Sequence, residues 1–256
     1  MALDVMPMWG VFVFALALVL ISIELGFRLG RWHRKHAEHE AEGAVGAVAA
    51  AVVGLLALLQ AFTFGNAAER FQARRELLLN EVNAIGTTYL RAELLPEPHG
   101  SQVRDLLREY VDVRVEAGRD RRKIKTAIEA SESLQTRLWS HATALAHRDF
   151  DSPIGALFIA SLNEMIDLHT KRVTVGRYRI PTAIWSTLGA LTFLSMLLAG
   201  YYFGLCGPRS LPVACVLALS FAGMVLLNTD LDRPSEGTLR VSHQPMLELQ
   251  QQMSGR

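Results

Sequence analysis

Polar side chains at the end of a long apolar stretch are the first candidates for chemistry. Gln60, Thr63 and Asn66 are spaced three residues apart, so on a helix they fall within about one face. The bulky apolar residues beside them are Leu55, Leu59 and Phe62. This combination is typical of a pore helix, in which an apolar constriction gates by dewetting and a few polar groups contact ions. Ordinary helix packing, with Gln60 bonded to a neighbouring helix, is the interpretation that these residues alone favour.

The beginning of the same stretch is rich in small residues. Gly46, Ala50 and Gly54 recur at every fourth position. Small side chains at this spacing let the backbones of neighbouring membrane helices approach closely. The pattern predicts that these residues form a helix-packing face.

A second set of polar residues lies on segments that are otherwise apolar and helical in pattern. These residues are Glu81, Asn83, Asn163, Glu164 and Asp167. They could pair between helices with Arg91, Arg172 or Arg179, line a vestibule that contacts permeating ions, or form a paired-carboxylate active site. Pairing between helices is the favoured interpretation. No catalytic residue is assigned, and the chain is not expected to be an enzyme.

Two charged or histidine-rich features near the N-terminus have simpler interpretations than a catalytic site. His33, His36, His39 and Glu40 could hold zinc or respond to pH through histidine titration. A histidine-rich loop without cysteines is a weak metal signal, so no metal and no cofactor are predicted. Glu24, four residues before Arg28, is expected to form an ion pair with it near a helix end.

Cys206 and Cys215 are expected to be buried free thiols.

The elements that must position these residues are membrane-spanning helices. Half of the 256 residues are apolar, and four nearly uncharged stretches cover residues 7–23, 43–64, 180–205 and 211–228. A spanning helix needs about 20 apolar residues, and only helices or closed barrels satisfy their backbone in lipid. Apolar and polar residues do not alternate along these stretches, which favours helices over the strands of a barrel.

Lys plus Arg (26) nearly equals Asp plus Glu (25), so no nucleic-acid partner is indicated.

The predicted fold is all-α, with four transmembrane helices in two hairpins and a helical cytosolic insert between the hairpins. The predicted boundaries are 1–65 for the first hairpin, 66–179 for the cytosolic module, 180–229 for the second hairpin and 230–256 for a cytosolic tail. Lys and Arg near the membrane ends are more numerous on the side of residues 66–179, which favours cytoplasmic termini and a cytoplasmic central module.

The central region itself is predicted to be helical throughout. The second span continues past Asn66 and stops before Pro96, and further helices cover about 101–116 and 120–147. The sequence Asp151-Ser152-Pro153 indicates another helix start, with a capping side chain followed by proline at the first helical position.

Several stretches together resemble the bacterial bestrophin-like family of unknown function. The stretches are residues 81–92 and 94–96 with Arg74 and Arg75 before them, residues 161–169 with Arg172, residues 179–181 with Trp185, residues 200–201 with Gly204, and residues 230–234 with Gly237, Val241 and Pro245. The resemblance covers nearly the whole chain from the second span onward.

The resemblance implies an oligomeric ion channel. Bestrophins are pentameric channels in which the second membrane helix of each subunit lines a central pore that continues into a cytoplasmic helical vestibule. For this chain it implies a homo-oligomer, most simply a pentamer, embedded in the lipid bilayer of the bacterial cytoplasmic (inner) membrane. The acidic calcium clusters of animal bestrophins have no obvious counterpart, and the permeant ion is left open. The alternative is a non-conducting membrane scaffold or sensor whose cytosolic helices bind a partner.

Overall fold

The structure, a computed structural model, describes residues 6–36, 42–149, 151–207, 209–233 and 237–255. These residues contain α-helices and no β-strand, so the all-α prediction is confirmed. The α-helices are α1 (Met8–His36), α2 (Glu42–Ala92), α3 (His99–Arg119), α4 (Ile124–Arg148), α5 (Pro153–Arg177), α6 (Thr182–Cys206), α7 (Leu211–Asp232) and α8 (Gln244–Ser254). A short 3-10 turn, Arg121–Lys123, precedes α4.

Four helical segments of the described chain are long and apolar enough to cross a membrane. They are Met8–His36, Gly43–Ala92, Pro153–Cys206 and Leu211–Asp232. The third of these segments includes both α5 and α6. The second confirms that the helix carrying Gln60 continues without interruption to Ala92, despite Gly86, Thr87 and Thr88.

The chain divides into two compact units. Unit 1 comprises Met1–Phe71 and Arg179–Leu239, and unit 2 comprises Gln72–Tyr178 and Arg240–Arg256. In unit 1, the apolar core joins α1, α2, α6 and α7 through Val19, Leu56, Met196 and Ala218. In unit 2, a larger core contains Tyr110, Leu138, Phe158 and Met165.

The start of α5 follows the predicted pattern. The Ser152 Oγ accepts a hydrogen bond from the backbone N–H of Gly155, and Pro153 occupies the first turn. This capping satisfies one of the free N–H groups at the helix start. The C-terminal helix α8, in contrast, lies within the stretch that was predicted only as a tail.

Both cysteines are free, as expected, but neither is buried. Cys206 and Cys215 are exposed near opposite sides of the α6–α7 connection. The prediction of burial was wrong because an apolar residue on a membrane-type helix can face outward from its own protomer, where lipid rather than protein surrounds it.

Candidate functional site

The exposed face of α2 is the first part of the candidate site. Leu55 is exposed, Leu58 is 52% exposed and Phe62 is 62% exposed, although all three are large apolar side chains. Leu59 is half-buried, and Asn66 is exposed. Among the described residues this face is exposed, and on it bulky apolar groups are followed by an exposed amide.

Two of the six pore candidates point away from this face. Gln60 is 2% exposed, and its Oε1 accepts a hydrogen bond from Asn228 Nδ2 at 2.9 Å. The buried Thr63 hydroxyl donates to the Leu59 carbonyl oxygen at 2.8 Å. Gln60 is therefore bonded to a neighbouring helix, as the packing interpretation expected. The pore candidates that remain on the exposed face are Leu55, Leu59, Phe62 and Asn66. Leu58 belongs to the same face and was missed.

The closest contacts between helices of unit 1 are mainly at residues other than the predicted packing residues. Of the predicted packing residues, Gly46 lies against the Tyr202 ring, Ala50 is exposed, and a Cβ built on Gly54 meets nothing within 4 Å. The closest approach is between α1 and α6. Gly26 and Gly30 of α1 face Gly200 and Gly204 of α6. Two repeats of glycine at every fourth position were the available signal.

Charged residues join several chain segments at one end of unit 1. Asp232 Oδ1 accepts a hydrogen bond from the Ile180 N–H at 3.0 Å, and Arg70 lies 3.6 Å from the same carboxylate oxygen. Arg233 donates to the Met6 carbonyl oxygen at 2.6 Å. The Asp230 carboxylate accepts hydrogen bonds from the Thr238 N–H and hydroxyl. These contacts connect the end of α7 with the starts of α1 and α6 and with the segment after α7.

A buried charge cluster surrounds Glu81 in unit 2. Glu81 is fully buried and accepts hydrogen bonds from Tyr110 at 3.2 Å and Arg114 at 3.3 Å. Arg172 also donates to this carboxylate, and His169 Nδ1 lies 3.4 Å from Glu81 Oε1. Burial, followed by the charge of Glu81, raises the pKa of Tyr110, so the phenol remains a neutral donor.

The Glu81 cluster brings together one predicted pair and several residues that were not predicted. Arg172 was among the expected partners. Arg91 and Arg179 instead donate to the carbonyl oxygens of Leu157 and Asp232, respectively. Arg114, Tyr110 and His169 were missed, because their helical spacing alone does not show that they converge on one carboxylate. The other polar candidates are exposed: Asn83, Asn163, Glu164 and Asp167. The geometry around Glu81 is that of a polar contact between helices.

His243, immediately before α8, packs against the edge of this cluster. A Cβ built on Gly118 would lie 2.8 Å from the His243 ring, so glycine is required for this contact. Burial, followed by the positive charges of Arg172 and Arg114, lowers the pKa of His243 to about 4. The ring is therefore neutral at pH 7 and fits beside two guanidinium groups.

The N-terminal charged residues form contacts within the described part of unit 1. Glu24 pairs with Arg28 at 2.8 Å, as expected, and also with Arg209. His36 Nδ1 lies 2.9 Å from the Trp32 carbonyl oxygen, and the His33 ring packs edge-on against Tyr201. His39 and Glu40 lie outside the described residues. No group of three or more His, Cys, Asp or Glu side chains that could hold a metal occurs in the described chain.

Comparisons with known proteins identify the fold and the family. No curated protein matches the chain. A tyrosine-to-alanine mutant of a bacterial bestrophin homologue from Klebsiella pneumoniae is 16% identical, with a TM-score of 0.71 over 96% of this chain and 99% of that chain. A tryptophan-to-alanine mutant of a bestrophin homologue from the same organism is 17% identical, with a TM-score of 0.71 over 96% of this chain and 97% of that chain.

A further crystal structure of a bestrophin homologue from Klebsiella pneumoniae has a TM-score of 0.68 at 17% identity, over 95% of this chain and 98% of that chain. At these identities the structural matches establish a shared fold. Independently, residues 13–246 match the family described as Bestrophin-like, which covers most of the sequence. The chain therefore belongs to the Bestrophin-like family.

Proposed function

We propose that the chain is one subunit of an oligomeric ion channel whose pore is lined by the exposed face of α2. The observation that carries the proposal is the exposure of Phe62 and Asn66 on one face of α2 in the described part of the chain. Leu55, Leu58 and Leu59 extend the apolar part of this face. The fold and family provide independent support, since the family resemblance implies a pore lined by the second membrane helix.

The chemistry of the α2 face favours a pore over a surface that only contacts lipid. The exposed side chains of α7 include Val213, Val216 and Leu219, which suit lipid contact throughout. On α2, the apolar series ends in Asn66 and the exposed carboxylate of Glu69. A ring of Leu and Phe side chains excludes water when it is narrow and conducts when helix movement hydrates it. The mechanism is therefore passive diffusion controlled by the hydration of this constriction.

The layout around this pore is part of the same proposal. The hairpins comprise residues 1–65 and 180–229, the module comprises residues 66–179, and the tail comprises residues 230–256. The module and both termini lie in the cytoplasm, and the membrane is the bacterial inner membrane. The exposed side chains of Asn83, Asn163, Glu164 and Asp167 are the candidates for vestibule lining. The oligomer is a ring of identical subunits, with five favoured by the family resemblance.

The test of the proposal combines particle mass with electrical recording. Purified protein in detergent is expected to contain five chains of 28.3 kDa each, and a monomer or dimer would exclude a central pore. In a planar bilayer, Phe62→Ala is expected to increase the current severalfold over the wild-type protein, because it removes the largest exposed apolar group of the constriction. Leu219→Ala removes an apolar group of α7 that is 53% exposed and should leave the current unchanged.

The scaffold alternative predicts a different result in the same recording. A non-conducting scaffold or sensor would give no current for the wild-type protein or for Phe62→Ala, with several ions and at several pH values. That outcome would reject the channel and favour a protein whose helical module binds a partner.

A further inference from the structure

A small, partly open cavity lies in unit 1, among α1, α2, α6 and α7. Its volume is about 60 Å³, and its walls include Phe14, Gln60, Trp185, Gly189 and Val225. A space of this size accommodates several non-hydrogen atoms. The walls are mainly apolar, and a cavity of this kind holds water poorly.

One wall group of the cavity is a polar donor without a partner. Gln60 Nε2 is buried and makes no hydrogen bond to any side chain or backbone group that the structure describes. The hydroxyls of Thr192 and Thr229, which also line the space, donate to carbonyl oxygens of their own helices. The Gln60 amide is therefore the donor that a bound hydrogen-bond acceptor would satisfy, and leaving it unpaired is unfavourable.

The cavity begins at the level of the protein where the apolar segments give way to charged residues, and it extends about two helical turns deeper, to Val19 and Thr192. Val11 is close to the start of α1, Trp185 is close to the start of α6, and Thr229 is close to the end of α7. Asp230 follows Thr229 directly, and Asp232 lies two residues after Asp230. In a bilayer this level is the interface, where tryptophan is enriched and where the ester groups of the lipids lie below their headgroups.

We propose that this cavity binds the ester-bearing end of one acyl chain of a bilayer lipid, with the Gln60 amide donating a hydrogen bond to the ester carbonyl oxygen. An ester group with a few methylenes matches the available space, and Phe14 and Val225 supply apolar contact. The rest of the acyl chain continues into the surrounding bilayer. The site depends on the membrane position of the four helices and not on conduction, so it stands or falls separately from the proposed channel.

Trp185 provides a direct probe of occupancy, because it lines the cavity. The test uses full-length protein with Trp9→Phe, Trp32→Phe and Trp139→Phe, so that Trp185 is the remaining tryptophan. Phosphatidylcholine with bromine on the upper part of the acyl chain is added to the protein in detergent, and the quenching of Trp185 fluorescence is measured. The expected result is quenching that saturates at a low mole fraction of lipid.

Two variants test the site by different means. Gln60→Leu removes the donor at similar volume and is expected to weaken the saturable phase about tenfold, the typical loss for one buried hydrogen bond. Gly189→Leu is expected to abolish it, because a Cβ built on Gly189 meets nothing within 4 Å and the larger side chain would fill the cavity. Gly223→Leu is the matched control on α7, since its Cβ also meets nothing within 4 Å and it does not line the cavity.

The opposite result is equally clear. Quenching that rises in proportion to lipid and is the same for the parent protein, Gly189→Leu and Gly223→Leu would show that Trp185 meets only bulk lipid. That result would overturn the proposed site. Because Gly189→Leu leaves both partners of the Gln60–Asn228 hydrogen bond in the sequence, the test remains decisive even if Gln60→Leu is too unstable to purify.

Discussion

The contact between α1 and α6 leads to the most stringent stability prediction. A Cβ built on Gly26 would lie 1.9 Å from the Leu197 carbonyl oxygen, and one built on Gly200 would lie 2.1 Å from the Ile23 carbonyl oxygen. Ordinary contacts of a Cβ begin near 3.4 Å. The perturbation is Gly26→Ala, which adds one methyl group against a backbone atom that cannot rotate away.

The magnitude follows from this geometry. To accommodate the methyl group, the two helices must separate locally by about 1.5 Å, the difference between the 3.4 Å of an ordinary Cβ contact and the 1.9 Å from the Gly26 Cβ to the Leu197 carbonyl oxygen. Overpacking of a well-packed interior costs about 1–3 kcal/mol, and the upper end applies here because the obstacle is backbone. At about 2–4 °C per kcal/mol for a chain of this size, Gly26→Ala should lower the melting temperature by about 6–12 °C.

The assay is thermal unfolding in detergent, followed by the loss of the native elution peak in size-exclusion chromatography. Gly223→Ala is the control, because its added Cβ meets nothing within 4 Å and alanine is the better helix former. The control should melt at or slightly above the wild-type temperature. If Gly26→Ala also melted within about 2 °C of the wild-type protein, the close approach of these two backbones would be refuted.

Three further predictions concern ionisable side chains. Glu81→Gln should lower the free energy of unfolding by about 3 kcal/mol, because two guanidinium groups lose their shared carboxylate. Glu164→Gln, at an exposed position, is the control and should melt like the wild-type protein. Equal melting temperatures of the two variants would contradict the buried ion pairs of Glu81. Folding lowers the pKa of His243 from 6.5 to about 4, so the unfolded chain binds the proton more readily, and the contribution of the neutral ring to stability is complete above pH 6.5 and is lost as the pH falls towards 4. After allowance for solvent screening, this loss is about 1–2 kcal/mol. His243→Gln should flatten this part of the curve of melting temperature against pH, and an unchanged curve would count against the assignment. Asp232→Ala should lower stability by about 2 kcal/mol, because the buried Ile180 N–H loses its acceptor; unchanged melting in detergent would reject the role of Asp232 in joining α6 and α7.

The long helices and their starts could be predicted from local sequence. The pattern Asp151-Ser152-Pro153 indicates the start of α5 because capping and proline chemistry act within one turn. The continuation of α2 past Asn66 is visible in the helical spacing of its apolar residues. Both features depend on neighbours along the chain, so no knowledge of tertiary contacts was needed.

The orientation of side chains around α2 could not be predicted in the same way. A spacing of three residues turns by 300° on an α-helix, so Gln60 and Asn66 differ by about 120° in direction despite the apparent common face. This rotation puts Gln60 against Asn228 and leaves Asn66 exposed. Only the position of α7 determines which of the two is buried.

Convergent contacts were equally hidden from the sequence. Tyr110 and Arg114 on α3 meet His169 and Arg172 on α5 at the carboxylate of Glu81. Each pair has ordinary helical spacing, and nothing local specifies the shared partner. The missed helix α8 is a different case, because Met246, Leu249 and Met253 have a helical spacing that was available in the sequence.

The most direct test of the central claim is to determine which face of α2 lines the conduction path. In a background of Cys206→Ser and Cys215→Ser, the bilayer current of Asn66→Cys and of Gln60→Cys is recorded while a charged thiol-reactive reagent is added. We expect an irreversible change of current for Asn66→Cys, whose side chain is exposed, and none for Gln60→Cys, whose side chain is buried. Modification of Gln60→Cys together with an unaffected Asn66→Cys would contradict this expectation.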